Sequence, residues 1–73
     1  MNNLHETRHQ FILDVMQYHQ RSPEQRYGQA FTNYLRNVYP EAADEIIGTR
    51  FDPFLSNYVE METWKKVFEL VGL

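Results

Sequence analysis

Residues 26–48 read RYGQAFTNYLRNVYPEAADEIIG, and this stretch decides the fold class. In its first part, apolar side chains recur at helical spacing and polar ones fall on the opposite face. Pro40 then stops the helix and can begin another. The acidic residues after Pro40 suit a first helical turn because they oppose the positive end of the helix dipole. The apolar stripe consists of Tyr27, Phe31, Tyr34, Leu35 and Val38. We therefore predict two helices that meet at Pro40.

Helix start and stop signals extend this pattern over the rest of the chain. Ser22 followed by Pro23 predicts a capped start for the helix that contains the apolar stripe. Gly48 is a natural left-handed cap for the helix after Pro40. No stretch alternates β-branched and polar residues as a strand would. The predicted helices span about 3–20, Pro23 to Tyr39, Pro40 to Gly48, and about 56–71, with a structured loop at 49–54. The prediction is a single all-α domain, residues 1–73, built as a compact bundle of three to four short helices.

Composition excludes several classes of protein. The 73 residues contain no cysteine, so disulfides and thiolate metal sites are ruled out. No apolar run reaches the ~20 residues of a membrane span. The N-terminal residues lack the basic start and apolar core of a secretion signal, which favours a cytoplasmic protein. A formal net charge of -3 disfavours non-specific binding to nucleic acid.

The segment His5-Glu6-Thr7-Arg8-His9 matches the metalloprotease pattern H-E-x-x-H. On a helix, His5 and His9 would stand one turn apart and could share a zinc ion, with Glu6 as the base. Such a site needs a third protein ligand, for which His19 and Glu24 are the candidates. The pattern begins at residue five, where chain ends fray, and both histidines border an apolar face. We therefore interpret His5 and His9 as structural or surface histidines and keep the zinc hydrolase as an alternative.

Other catalytic arrangements have little support in the sequence. Ser22 and Ser56 stand where helix caps belong, and neither lies in a G-x-S-x-G turn. No glycine-rich phosphate-binding motif is present. We expect no enzyme activity and no cofactor.

Three binding functions remain as interpretations. Arginines beside Tyr27 and Tyr34 could contact RNA or a single strand, which makes a nucleic-acid-binding regulator the main alternative. The acidic second half of the chain could mimic DNA, although Lys65 and Lys66 interrupt it.

Protein binding is the function that we favour from the sequence. The aromatic content of 15% exceeds what a small helical core must use. Tyr, Trp and Arg dominate interface energetics, so aromatic side chains that stay partly exposed are candidate contacts. A marginal core of this size also makes a homo-oligomer plausible. Candidate partner-binding residues are Arg26, Tyr34, Arg36 and Arg50, and candidates for partial burial are Tyr18, Tyr34, Tyr39, Tyr58 and Trp64.

Three motifs resemble a group of short phage and prophage proteins of unknown function. They are R-x-G-Q-A-x-x-N-x-L from Arg26, P-E-x-A-D-E-I from Pro40 and G-T-x-x-D-P-F from Gly48, within residues 11–56. The resemblance implies a phage accessory protein that docks on a bacterial host protein, for example in a defence or regulatory system. It also implies that the first and third motifs act together in a structural role. In that role Gly28 would allow a close approach, Gln29 and Asn33 would hydrogen-bond loop carbonyls, and the loop would be Asp52-Pro53-Phe54.

Overall fold

A computed structural model describes residue 5 and residues 7–73. Every regular element within these residues is a helix, and the predicted all-α bundle is confirmed. The four helices are α1 (Arg8–Arg21), α2 (Tyr27–Val38), α3 (Pro40–Ile46) and α4 (Met61–Val71). α2 packs against α1 and α3, and α3 packs against α4. No helix in the described part of the chain is long and apolar enough to cross a membrane.

The first helix begins later than its apolar spacing predicts. Thr7 is the cap, because its Oγ1 accepts the backbone N–H of Gln10 at 3.0 Å. The helix buries Phe11 and Val15, which lie one turn apart. His5 lies outside the helix, so the prediction that the helix starts near residue 3 and includes His5 is wrong. The other predicted positions ahead of Thr7, including Glu6, lie outside the described residues.

The prediction that the second helix begins at Pro23 is also wrong. Ser22 instead ends α1, where its N–H bonds the carbonyl of His19. The N–H of Gln25 then bonds the Ser22 carbonyl at 3.0 Å, which closes a turn with Pro23 at its second position. Serine followed by proline favours this turn as strongly as it favours a helix start. Tyr27 is consequently the first residue of α2.

The last helix begins at Met61 rather than near Ser56. A helix cap must offer its carbonyl to the first turn of its own helix. Glu60 does so, because its carbonyl accepts the N–H of Trp64 at 3.1 Å, whereas the carbonyl of Ser56 accepts the N–H of Gly28 at 2.9 Å. Residues 47–60 therefore form a connection between α3 and α4. The predicted end is correct, since Gly72 caps α4 in the left-handed conformation at φ 81°.

Aromatic side chains dominate the core, with Phe11 at the centre. Its ring stacks on Tyr39 at 5.7 Å between centroids. It also meets Trp64 and Phe68 edge to face, at 6.0 and 5.9 Å. These contacts join α1, the α2–α3 junction and α4 in one apolar cluster. The other buried members of the cluster are Val15, Phe31, Leu35, Ala42, Ala43, Ile46, Val67 and Val71.

Gly28 is the point where the 47–60 connection touches α2. A β-carbon at this position would lie 1.7 Å from the carbonyl oxygen of Pro53 and 2.8 Å from that of Ser56. Both neighbours are backbone atoms, so no side-chain rotation could relieve the clash. The absence of a side chain at Gly28 is what lets its N–H reach Ser56.

We expect Gly28→Ala to lower the free energy of unfolding by at least about 2 kcal/mol, because the methyl group forces two backbone segments apart. Helix propensity alone predicts the opposite, a gain of about 1 kcal/mol. Gly48→Ala is the comparison, since φ is 84° there and no atom lies within 4 Å of an added β-carbon. It should cost about 1–2 kcal/mol through backbone strain alone. Urea unfolding of both variants measures the difference. A Gly28→Ala protein as stable as the wild type would contradict the close approach.

Candidate functional site

The most exposed large apolar side chains lie in one short segment, residues 54–61, which we call the apolar loop. Leu55 is 77% exposed, Met61 71% and Tyr58 63%. Phe54 is 38% exposed. These exposed apolar side chains make the segment the candidate contact surface of the described residues.

Backbone hydrogen bonds hold the apolar loop in place although its side chains face water. The N–H of Ser56 donates to the carbonyl of Pro53 at 2.8 Å, and the Ser56 carbonyl accepts from Gly28. Pro53 itself is buried. The loop is thus held against the first turn of α2 at Ser56. Val59 packs against the core, whereas Leu55, Tyr58 and Met61 are exposed.

The turn that leads into the apolar loop is held by Asp52. One carboxylate oxygen accepts the N–H of Phe54 and the other accepts the N–H of Gly48, each at 2.9 Å. An aspartate bonded to the backbone two residues on is a common turn-forming device. Farther along, the hydroxyl of Thr63 in α4 donates to the carbonyl of Phe51 at 2.8 Å. Asp52 and Thr63 therefore fix the connection from both sides.

An exposed ion pair borders the apolar loop. Arg50 Nη1 lies 3.1 Å from Glu62 Oε2, and the Arg50 guanidinium also lies 4.4 Å from the centroid of the Phe51 ring. Both charged side chains are largely in water, so the pair contributes at most about 1 kcal/mol to stability. Its position next to Met61 gives the apolar loop a polar rim.

The four predicted partner-binding residues do not form one cluster. Arg50 lies at the rim of the apolar loop, and Arg26 is exposed one residue before α2, near the Gly28 contact. Arg36 is exposed in the last turn of α2, so ten residues separate it from Arg26, about 15 Å along a helix axis. Tyr34 is half-buried, and its hydroxyl lies 2.9 Å from the ring of His5.

The predicted hydrogen bonds from Gln29 and Asn33 to the loop are absent. Both side chains are half-buried, and neither bonds a carbonyl in residues 49–56. The main chain at Gly28 makes this contact instead.

The partial burial predicted for five aromatic residues holds for three. Tyr18, Tyr34 and Trp64 are half-buried. Tyr39 is buried in the core, whereas Tyr58 is exposed.

The two histidines of the H-E-x-x-H pattern have separate environments. His5 lies ahead of α1 and is 2% exposed, whereas His9 is exposed on the helix. Nδ1 of His5 lies 2.7 Å from the hydroxyl of Tyr39, and Nε2 lies 3.0 Å from Asp14 Oδ2. The helical histidine pair on which the zinc alternative depends is therefore not formed.

Of the two candidates for a third ligand, His19 and Glu24, the histidine contacts a backbone carbonyl. His19 Nε2 lies 2.8 Å from the carbonyl of Gln25 in the turn between α1 and α2. Among residues 5 and 7–73, no group of three or more His, Asp or Glu side chains is arranged to hold a metal ion.

Sequence reasoning missed Leu55, Met61 and Asp14. Met61 lies within the helix predicted over 56–71, and Leu55 lies between the predicted loop and that helix, so neither is marked as a contact by the sequence. Asp14 is a polar position on the outer side of α1 by spacing alone, and spacing does not reveal its contact with His5.

Comparison with protein-family models, with curated proteins and with solved structures finds no match for this chain.

Burial, together with the nearby Asp14 carboxylate and Tyr39, raises the pKa of Tyr34 to about 12. An unfolded chain returns this pKa to its ordinary value of 10.0. The folded protein therefore keeps a proton that the unfolded one loses, and stability present below pH 10 is lost as the pH rises from about 10 to about 12. We expect Tyr34→Phe to show a shallower loss of stability over this range than the wild type. Urea unfolding at a series of alkaline pH values tests this, and equal slopes would contradict it.

Proposed function

We propose that this protein acts by binding another protein through the apolar loop. The observation that carries the proposal is the exposure of Leu55, Tyr58 and Met61 on a segment whose backbone is hydrogen-bonded to α2. Exposed apolar area gains about 25 cal/mol per Å² when a partner covers it. Tyrosine at a protected contact is among the residues that contribute most to such interfaces.

The fixed backbone of the apolar loop favours binding for a second reason. A loop that must become ordered on binding loses conformational entropy, and that loss subtracts from affinity. Here Pro53 and Ser56 are already held against Gly28, and Asp52 holds the preceding turn. The exposed side chains are apolar, so the matching surface that we expect on the partner is apolar as well.

The resemblance to short phage and prophage proteins directs the search for the partner. It makes a bacterial host protein in the cytoplasm the first candidate, with inhibition of a defence or regulatory system as the expected result. The nucleic-acid alternative has less support, because Arg26 and Arg36 lie at opposite ends of α2 and Arg50 is paired with Glu62. The zinc hydrolase alternative has even less support, because both ring nitrogens of His5 contact protein groups.

The test begins with affinity capture of the tagged protein from a bacterial lysate treated with nuclease, followed by mass spectrometry. A host protein that is enriched after nuclease treatment and rebinds when purified supports the proposal. Partners that are lost with nuclease would favour the nucleic-acid alternative, and recovery of this chain alone would favour self-association.

Substitutions in the apolar loop then locate the surface. We expect Leu55→Ser and Met61→Ser each to weaken binding of the captured partner at least tenfold, because a central apolar contact contributes about 2 kcal/mol. Both side chains are exposed, so the free energy of unfolding should change by less than about 0.5 kcal/mol. Calorimetric titration and urea unfolding measure the two quantities.

Leu13→Ser and Met16→Ser are matched controls. They repeat the same chemical changes at exposed positions on α1, where Leu13 is 37% and Met16 43% exposed. Their affinity for the partner should stay within about twofold of the wild type. If the α1 substitutions weaken binding and those in the apolar loop do not, the site assignment is wrong.

A further inference from the structure

The apolar loop is short enough for one partner to contact all of its exposed side chains. Leu55 and Met61 are six residues apart, a distance of at most about 22 Å even in a fully extended chain. A standard protein–protein interface covers about 800 Å² on each partner, which is roughly 30 Å across. The exposed apolar side chains of the loop therefore fit within a single interface.

The exposed area of these side chains limits how strong such an interface is. With about 200 Å² for a fully exposed side chain of this size, the exposed fractions of Phe54, Leu55, Tyr58 and Met61 correspond to roughly 500 Å². Two copies of the chain that meet through the loop would cover about 1,000 Å² from these side chains together. This total lies at the lower end of specific interfaces, so the area fits a weak and reversible dimer.

The charges beside the apolar loop carry both signs in equal number. Among residues 49–65, the charged side chains that are exposed are Arg50, Lys65, Glu60 and Glu62. Lys65 lies one turn after Met61 on α4, so these two side chains share a helix face. A partner surface of one sign would be repelled by half of these charges. A second copy related by a two-fold axis carries both signs itself and can place each charge opposite one of the other sign.

Arg50 and Glu62 are the charges that the structure positions for such an exchange. The Arg50 guanidinium lies 4.4 Å from the centroid of the Phe51 ring, which packs against the core and so holds the charge in place. Arg50 Nη1 lies 3.1 Å from Glu62 Oε2, yet the two side chains remain 74% and 73% exposed. A guanidinium has five N–H donors and a carboxylate has two acceptor oxygens, so both groups can bind a second partner.

We propose that the free protein forms a weak, two-fold symmetric dimer through the apolar loop, in which Arg50 of each copy pairs with Glu62 of the other. The proposal rests on the proposed function in one respect, because both use the apolar loop as the contact surface. In the dimer the loop is covered, so a host protein must displace the second copy in order to bind. Self-association therefore protects the apolar side chains from water while no host protein is bound.

Sedimentation equilibrium of the purified chain at physiological salt tests whether the dimer exists. We expect the average mass to rise from 8.8 kDa toward twice this value as the concentration is increased to about 1 mM. A mass that stays at 8.8 kDa over the whole range overturns the proposal.

Charge reversal tests whether Arg50 and Glu62 meet across the dimer. Arg50→Glu makes glutamate face glutamate at both contacts, and Glu62→Arg makes arginine face arginine, so each variant alone should dimerise at least about tenfold more weakly. In an equimolar mixture opposite charges face each other again, and we expect dimerisation within about threefold of the wild type. Unchanged dimerisation of either variant, or no recovery in the mixture, overturns the assignment.

Lys66→Glu and Glu69→Lys are matched controls. They make the same changes of net charge at another ion pair of α4, where Lys66 Nζ lies 3.6 Å from Glu69 Oε1. Glu69 is seven residues beyond Glu62, about 10 Å farther along the helix axis. Each control should dimerise within about twofold of the wild type. If the controls weaken dimerisation as much as Arg50→Glu and Glu62→Arg, the cause is the net charge of the chain and the proposed contact is wrong.

The result is separable from the test of the proposed function, because the dimer needs no host protein. A chain that is monomeric and still captures a host protein through the apolar loop overturns the dimer and leaves the proposed function in place. A chain that forms the dimer with the expected charge dependence, but captures no host protein, supports the dimer and counts against the proposed function.

Discussion

The contact between Gly28 and the carbonyls of Pro53 and Ser56 is the constraint on which the second half of the fold depends. It is made by main-chain atoms on both sides, so it is possible only because residue 28 has no side chain. It ties the connection between α3 and α4 to the first turn of α2. Within this connection Phe51 and Val59 pack against the core, whereas Leu55 and Tyr58 are exposed. The missing β-carbon at residue 28 thus permits the path that the connection takes past α2.

The aromatic core solves the other problem of a short chain, which is to join four small helices without disulfides. Edge-to-face and offset ring pairs contribute about 0.5–1.5 kcal/mol beyond the area they bury. Phe11 takes part in several such pairs, with Tyr39, Trp64 and Phe68. At the edge of this cluster the hydroxyls of Tyr34 and Tyr39 would lack partners in a purely apolar site. His5 satisfies both, and Asp14 in turn satisfies His5.

Local signals in the sequence predict the fold class and some helix ends correctly. Pro40 begins α3 and Gly72 caps α4 because these effects act within a few residues. Ser22 with Pro23 misleads because the same pair favours a turn, and the competing hydrogen bond to Gln25 decides the outcome. Local spacing does not reveal the contact between Ser56 and Gly28, because the two residues are 28 positions apart. The contacts of His5 also cannot be predicted from local spacing, because Tyr34 and Tyr39 lie 29 and 34 residues from it in the sequence.

α2 makes two long-range contacts at different positions along its length. Gly28 holds the apolar loop at the first turn, whereas Tyr34 and Tyr39 meet His5 in the last turns and just beyond. Six residues from Gly28 to Tyr34 correspond to about 9 Å along the helix axis. The packing of α2 against α1 and α3 therefore positions both contacts, and neither contact is indicated by the residues next to it in the sequence.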